Sequence, residues 1–333
     1  MRNYIVCSLK MCKALIPFSL LFQMVVALRR FFYRIGLLPI TRIDIPVIIV
    51  GNITVGGTGK TPLVIWLAKF LQQQGYQPGI VSRGYGGRGA VYPCVVTADS
   101  DPILVGDETV LIARQTGCPV IIDPNRVAAA HYLRTHYPAC NIILSDDGLQ
   151  HYALGRDIEI AVIDGERRFG NGLFLPAGSL RESVQRLKTV DFVVTNGEAL
   201  AGEYSMALIP DHFHLLNDPT QTKPADFFLG KTIHAVAGIG NPNRFFTMLR
   251  NNLGLTMIEH PFPDHHHFTE QDLQFGNDAV IVMTEKDAVK CKKFNLNNIW
   301  YLPVTATLSE SFEKAILASV YLRQNRKKSR VNV

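Results

Sequence analysis

Val47-Ile48-Ile49-Val50-Gly51-Asn52-Ile53-Thr54-Val55-Gly56-Gly57-Thr58-Gly59-Lys60-Thr61-Pro62 is the stretch that decides the fold. Val47 to Val50 are all β-branched, which suits a strand buried on both faces. Beyond Pro62, the apolar residues Leu63, Val64, Leu67, Phe70 and Leu71 share one face of a helix. Strand, glycine loop and helix in that order make a phosphate-binding loop. Its backbone N–H groups and helix N-terminus face the phosphates, Lys60 reaches the β and γ phosphates, and Thr61 holds Mg²⁺. Pro62 fits the first helical turn. The candidate nucleotide-binding residues are Thr54, Val55, Gly56, Gly57, Thr58, Gly59, Lys60 and Thr61.

One position departs from G-x-x-x-x-G-K-[ST]: the first glycine would fall at 54, where Thr54 stands. The run from Gly56 to Thr61 is nearer the G-G-x-G-K-T loops of a deviant branch, but Val55 occupies the place of that branch's extra lysine. The bland alternative, a glycine-rich turn with a chance Gly-Lys-Thr, does not account for the strand and helix flanking it.

The chain of 333 residues suggests two domains, and its 47% hydrophobic content supplies ample core. The net charge of +6 is too diffuse to imply nucleic acid, but suits an anionic membrane surface or substrate. Cys7, Cys12, Cys94, Cys118, Cys140 and Cys291 show neither C-x-x-C nor zinc spacing, and read as reduced thiols of a cytosolic compartment.

Ala14 to Leu28 is almost wholly apolar and runs into Arg29, Arg30 and Arg34 among Phe31, Phe32 and Tyr33. It reads as too short to span a bilayer and lacks a small-residue cleavage site after it. A helix lying in the membrane interface is one reading and a core-packing helix the other.

Further along, Gly79 to Ser82 reads as a strand leading into Arg83 and Tyr85, candidate substrate contacts at a strand tip. Val91 to Thr97 reads as another strand. Gly106-Asp107-Glu108 opens a helix, where acidic residues are also ordinary dipole partners. Asn141 to Ser145 is an apolar strand ending in Asp146-Asp147, hard oxygen donors beside the loop and candidate Mg²⁺ ligands; an Asp-Gly turn is the plain alternative. A long loop from Gly165 to Glu182 follows the strand Ile158 to Asp164. A second α/β unit begins at Thr232, and Trp300 to Val304 reads as the strand closing its sheet. Pro263-Asp264-His265-His266-His267 lies in a loop, where adjacent histidines make a poor tetrahedral metal site. Arg323 to Arg330 reads as a solvated basic tail.

Taken together, Gly51 to Pro62, Ser82-Arg83-Gly84-Tyr85-Gly86, Gly106-Asp107-Glu108, Asp146-Asp147-Gly148-Leu149-Gln150-His151, Leu175-Pro176-Ala177-Gly178 with Leu180-Arg181-Glu182, Pro263-Asp264-His265-His266 and Thr284-Glu285-Lys286-Asp287 resemble the tetraacyldisaccharide 4'-kinase family of lipid A biosynthesis. The resemblance implies a P-loop NTPase-type three-layer α/β/α domain, a smaller C-terminal α/β domain and an N-terminal membrane-interface helix, divided as 1–33, 34–220, 221–322 and a tail 323–333. It implies ATP and Mg²⁺ as cofactors, a lipid-linked glucosamine disaccharide as acceptor, and a peripheral place on the cytoplasmic face of the inner membrane. No nucleic acid and no obligate protein partner follow from it. Lys60 would neutralise phosphate charge, Thr61, Asp146 and Asp147 would hold Mg²⁺, and Asp107 would accept the hydroxyl proton with His265 assisting. Arg83, Tyr85, Arg126, Arg181 and Glu182 are further substrate or active-site contacts under the same resemblance. The competing reading is a membrane-associated regulatory ATPase with a deviant loop, against which the missing lysine at Val55 counts.

Overall fold

The computed structural model describes residues 9–89, 91–276, 278–294 and 296–331; Cys7 lies outside them. In chain order the strands are β1 (Val47–Gly51), β2 (Pro78–Ser82), β3 (Cys94–Val96), β4 (Val120–Ile122), β5 (Ile142–Ser145), β6 (Ile158–Asp164), β7 (Phe192–Asn196), β8 (Tyr204–Pro210), β9 (Phe213–Leu215), β10 (Thr222–Lys223), β11 (Thr232–Ala237), β12 (Thr256–Pro261), β13 (Ile281–Thr284), β14 (Ile299–Leu302) and β15 (Val304–Leu308). The helices are α1 (Leu9–Arg34), α2 (Lys60–Gln73), α3 (Pro102–Val105), α4 (Asp107–Thr116), α5 (Arg126–His136), α6 (Pro242–Thr247), α7 (Glu285–Cys291) and α8 (Glu310–Val331).

The first sheet runs β15-β8-β7-β6-β1-β5-β2-β4-β3. It is parallel from β8 across to β4, with antiparallel β15 and β3 at its edges. Alternation along β1 sends Ile48 and Val50 into a core shared with α2, α4 and α8, and Val47 and Ile49 into one shared with α5. Helices on both faces give the three expected layers, and they force the unbroken β-branched run of β1. The second sheet, β10-β9-β14-β13-β11-β12, carries its own cores around Phe213, Phe228 and Trp300 and around Phe268 and Met283.

The boundaries at 220 and 322 are corrected by the pairing. β9 and β10 already belong to the second sheet, whereas β15 pairs with β8 in the first. The chain crosses back at Pro303, so the expected single strand Trp300 to Val304 is two strands of two sheets. The expected strand Val91 to Thr97 shortens to β3, because Val91 is 87% exposed and Pro93 lacks an amide hydrogen. The basic tail from Arg323 is corrected too: it continues α8. Lys327 donates through Nζ to the carbonyls of Ile43 (2.7 Å) and Ile45 (2.6 Å) and pairs with Asp157 at 2.7 Å, and Arg323 pairs with Asp191 at 3.4 Å.

The N-terminal helix is longer than its apolar run suggests, with 26 residues. Ala14–Arg34 is long and apolar enough, by length and composition, to cross a membrane, which corrects the reading that it is too short. One stripe packs on the protein: Ser19 is buried and donates to the Phe174 carbonyl at 2.7 Å, and Arg30 donates to Thr189 at 3.0 Å. The opposite stripe, Leu20, Met24, Leu28 and Phe31, is between 43% and 60% exposed.

Lys327→Ala removes three charged contacts and leaves Asp157 with the Val47 amide but no cation, so it should cost about 2 kcal/mol in urea unfolding. A solvated tail would give no change.

Candidate active site

The C-terminal tips of β1, β2, β5, β6 and β7 open on one edge of the first sheet, and the second unit faces them across a cavity of about 1620 Å³. The phosphate-binding loop follows β1. Gly59 takes the left-handed conformation (φ 96°) that turns the chain into α2, and a side chain there would meet Asn196 at 2.7 Å. The loop is held from outside: Asn52 donates to Thr58 Oγ1 at 3.3 Å, Asn196 donates to the Thr58 carbonyl at 3.3 Å, and the Val55 amide donates to the Ser179 carbonyl at 2.8 Å. Gln150 holds the Asn52 carbonyl at 2.9 Å. Gly56 to Thr61 and Val55 all line the cavity; Thr54 is buried and bridges to Leu180.

Asp146 and Asp147 follow β5 beside this loop and are placed differently. Asp147, at φ 45°, lies 3.7 Å from Lys60 and 3.0 Å from Arg181. Burial opposes its charge, but Lys60 and Arg181 outweigh that and hold its carboxyl low. Asp146 is 2% exposed and accepts from Ser82 Oγ at 3.1 Å, while its Oδ1 is buried with no hydrogen-bond partner. Burial, then the carboxylates of Glu108 and Asp147, push its carboxyl well above the usual range. A buried carboxylate oxygen left without a donor, in a cavity that Asp147 and Thr61 also line, fits a hard divalent cation such as Mg²⁺.

Across the cavity, Asp107 at the start of α4 meets His265 from the second unit. The His265 ring, carried by a left-handed residue (φ 58°), places Nδ1 at 3.0 and 3.2 Å from the two Asp107 oxygens. Lys290 lies 3.6 Å from Asp107, and Lys286 spans Glu108 (2.8 Å) and Asp264 (3.3 Å). Burial opposes the Asp107 charge, yet the His265 hydrogen bond and the two lysines hold the carboxyl at about 2. For His265, burial and Lys286 work against protonation, but Asp107 overrides them and raises its pKa. His266 turns elsewhere, to Asp272 at 3.2 Å.

Of the remaining expected contacts, Arg83, Tyr85, Arg126 and Arg181 line the cavity, and the Tyr85 ring packs edge-on against His265 at 5.1 Å. Glu182 does not join them. It is 2% exposed behind Gln150, accepting from Gln150 at 2.7 Å and from the Tyr152 hydroxyl, with Arg186 at 3.5 Å. Residues at the cavity that motif reading passed over are Gln150, His151, Glu108, Lys286, Arg167 and Arg244, with Asn52 buried behind the loop. Several sit inside the quoted motifs, so proximity to a motif was the available signal; Arg244 carried none.

The Asp107–His265 pair has a measurable signature. The His265 imidazole should titrate with a midpoint above its ordinary 6.5 in NMR, and Asp107→Asn should bring it below. The contact's contribution to stability is correspondingly full below pH 6.5 and lost as pH rises through the folded midpoint. A midpoint unmoved by Asp107→Asn would contradict the pairing.

With this geometry in place, the comparisons are specific. The family model described as tetraacyldisaccharide-1-P 4'-kinase matches residues 11–321. A tetraacyldisaccharide 4'-kinase of Nitrosococcus oceani is 53% identical over 320 residues, covering 96% of this chain and 93% of its own. One from Methylobacillus flagellatus is 52% identical over 303 residues, covering 91% and 90%. Among solved structures, LpxK from Aquifex aeolicus in complex with ATP superposes with a TM-score of 0.77 at 27% identity, over 93% of this chain and 99% of that one. The chain belongs to the tetraacyldisaccharide-1-P 4'-kinase family.

Proposed function

We propose that this chain is an ATP-dependent kinase that transfers the γ-phosphoryl group to the 4'-hydroxyl of a tetraacyldisaccharide 1-phosphate, giving lipid IVA in lipid A biosynthesis. The observation that carries the reading is that His265, tied through Nδ1 to the buried Asp107, lines the same cavity as the Gly56–Thr61 loop. Family membership favours this over a regulatory ATPase.

Phosphoryl transfer needs positioning, neutralisation of charge and a proton acceptor. Lys60 and the loop amides bind the β and γ phosphates. Thr61, Asp146 and Asp147 would hold Mg²⁺, which supplies charge neutralisation there. The 4'-oxygen forms its bond to the γ-phosphorus as the bond to the β–γ bridging oxygen breaks, and ADP leaves with that electron pair. For the hydroxyl proton, Asp107 is a weak base, being buried and held at about 2. His265 lines the cavity with Nδ1 tied to Asp107, so Nε2 takes the proton and Asp107 steadies the imidazolium. This reverses the order implied by the resemblance while keeping both residues.

The acceptor is a lipid, and the exposed stripe of α1 beside Arg29 and Arg34 suits the surface of an anionic leaflet. The protein is thereby a peripheral one on the cytoplasmic face of the inner membrane, with its cavity partly walled by Phe22 and Val26 of the same helix.

The direct test is transfer of labelled γ-phosphate from Mg-ATP to tetraacyldisaccharide 1-phosphate in detergent micelles. Lys60→Ala should lower turnover about 10³-fold with the fold intact; near-normal turnover sinks the loop assignment. For the membrane, Leu20→Glu with Met24→Glu keeps the packed stripe of α1 and should shift the protein from vesicles of anionic lipid into the supernatant. Unchanged sedimentation would assign the attachment to another surface.

A further inference from the structure

We propose that Arg167 is an arginine finger supplied in cis, a catalytic residue that contacts the terminal phosphates during transfer, and that Asp164 is its positioning residue. The inference rests on the kinase reading above and adds to it a group on the β6 side of the loop, with Asp146 and Asp147 on the β5 side.

The placement begins with β6, which pairs with β1 so that Gly51 lies beside Ala161. Asp164, at the end of β6, therefore sits next to the phosphate-binding loop. Its side chain is fully buried, and Oδ1 accepts the backbone amides of Glu166 (3.1 Å) and Arg167 (3.0 Å). Those two bonds fold the chain back sharply and aim the Arg167 side chain over the loop. There Arg167 donates to the Gly57 carbonyl at 3.3 Å, and a Cβ on Gly56 would stand 2.8 Å from its Nη1. Gly56 is thus bare where a guanidinium crosses. The glycines just ahead of Gly59-Lys60 wrap the phosphates whose β and γ members Lys60 reaches. A guanidinium over Gly56 and Gly57 is accordingly at the transferring end of the nucleotide.

Of the cavity's other arginines, Arg83 follows β2, which β5 separates from β1, and those nearer the loop are committed elsewhere. Arg181 is paired with Asp147 at 3.0 Å and Arg126 is 4% exposed. The neighbouring Arg168 is locked on Glu203 by bonds of 2.8 and 2.6 Å. Arg167 is held loosely by comparison: a single 3.3 Å bond to a carbonyl and a 3.8 Å approach to Asp164, with 30% of its side chain exposed. A phosphate oxygen is a far better partner for a guanidinium than a peptide carbonyl is, and two N–H groups can engage it side by side. Its charge also supplies what the loop lacks at Val55, where a deviant loop has lysine. Arg244 of the second unit donates to Asp164 Oδ1, the oxygen that accepts the two amides, at 3.1 Å, so the positioning carboxylate is anchored from both units.

The test uses the full chain with Mg-ATP and micellar tetraacyldisaccharide 1-phosphate, comparing the unmodified protein with Arg167→Ala and Arg167→Lys. Arg167→Ala should lower kcat about 10³-fold, the low end for removal of an arginine finger. KM for ATP should stay within about threefold, because the contact strengthens in the transition state. Binding of ADP with aluminium fluoride and acceptor, a mimic of that state, should fall about 100-fold while binding of ADP alone is unchanged. Arg167→Lys should recover part of kcat through its charge without the fork. Turnover of Arg167→Ala within about threefold of the unmodified protein overturns the proposal, as does equal weakening of ADP and of the fluoride complex, which would mark a structural role. Absence of transfer by the unmodified protein would overturn the kinase reading instead.

Discussion

Everything at the phosphate end depends on β1 lying between β5 and β6 with both of its faces covered. A parallel strand in that position cannot turn back in a hairpin, so the chain leaves each strand by a crossover and the loops gather at one edge of the sheet. The glycine loop, the Asp146-Asp147 pair and Asp164 are neighbours for that reason alone. Their side chains project from the tips of three adjacent strands.

Crowding carboxylates at one edge costs free energy unless cations answer them, and the answers differ from one group to the next. Asp147 has Lys60 and Arg181; Asp107 has His265 and Lys290; Asp164 has Arg167 and Arg244. Asp146 Oδ1 and Asp164 Oδ2 are both buried without a hydrogen bond, but Arg167 stands 3.8 Å from the latter. The uneven distribution of partners sets Asp146 apart, with a buried oxygen short of donors where protein cations face the other three.

Sequence reading reached the loop and the two strand-tip carboxylates because each is a local pattern with a mechanism attached, whereas Asp107 and His265 came only through the family resemblance. It failed where the decision was made by distant partners. Ile299 to Leu302 and Val304 to Leu308 have similar strand propensity, and only pairing assigns one to β13 and the other to β8. The end of α8 reads as a charged run because its polar face is continuous; its seat is fixed by Lys327 reaching carbonyls near residue 44, which no periodicity reports. Arg181 and Glu182 are adjacent in a motif, yet one faces Asp147 and the other is buried against Tyr152 and Arg186.

The return of β15 and α8 to the first sheet bears on how the protein is made. The second unit is contiguous in sequence, with the Asp211 amide bound to the Pro303 carbonyl at 3.1 Å where the chain enters and leaves it. It can therefore close its own core on the ribosome before synthesis ends. The first unit cannot, since Phe312, Ile316 and Val320 of α8 complete the core behind the nucleotide loop. Vectorial synthesis thus finishes the catalytic edge last, and a chain released early would carry a folded second unit beside an open, aggregation-prone sheet.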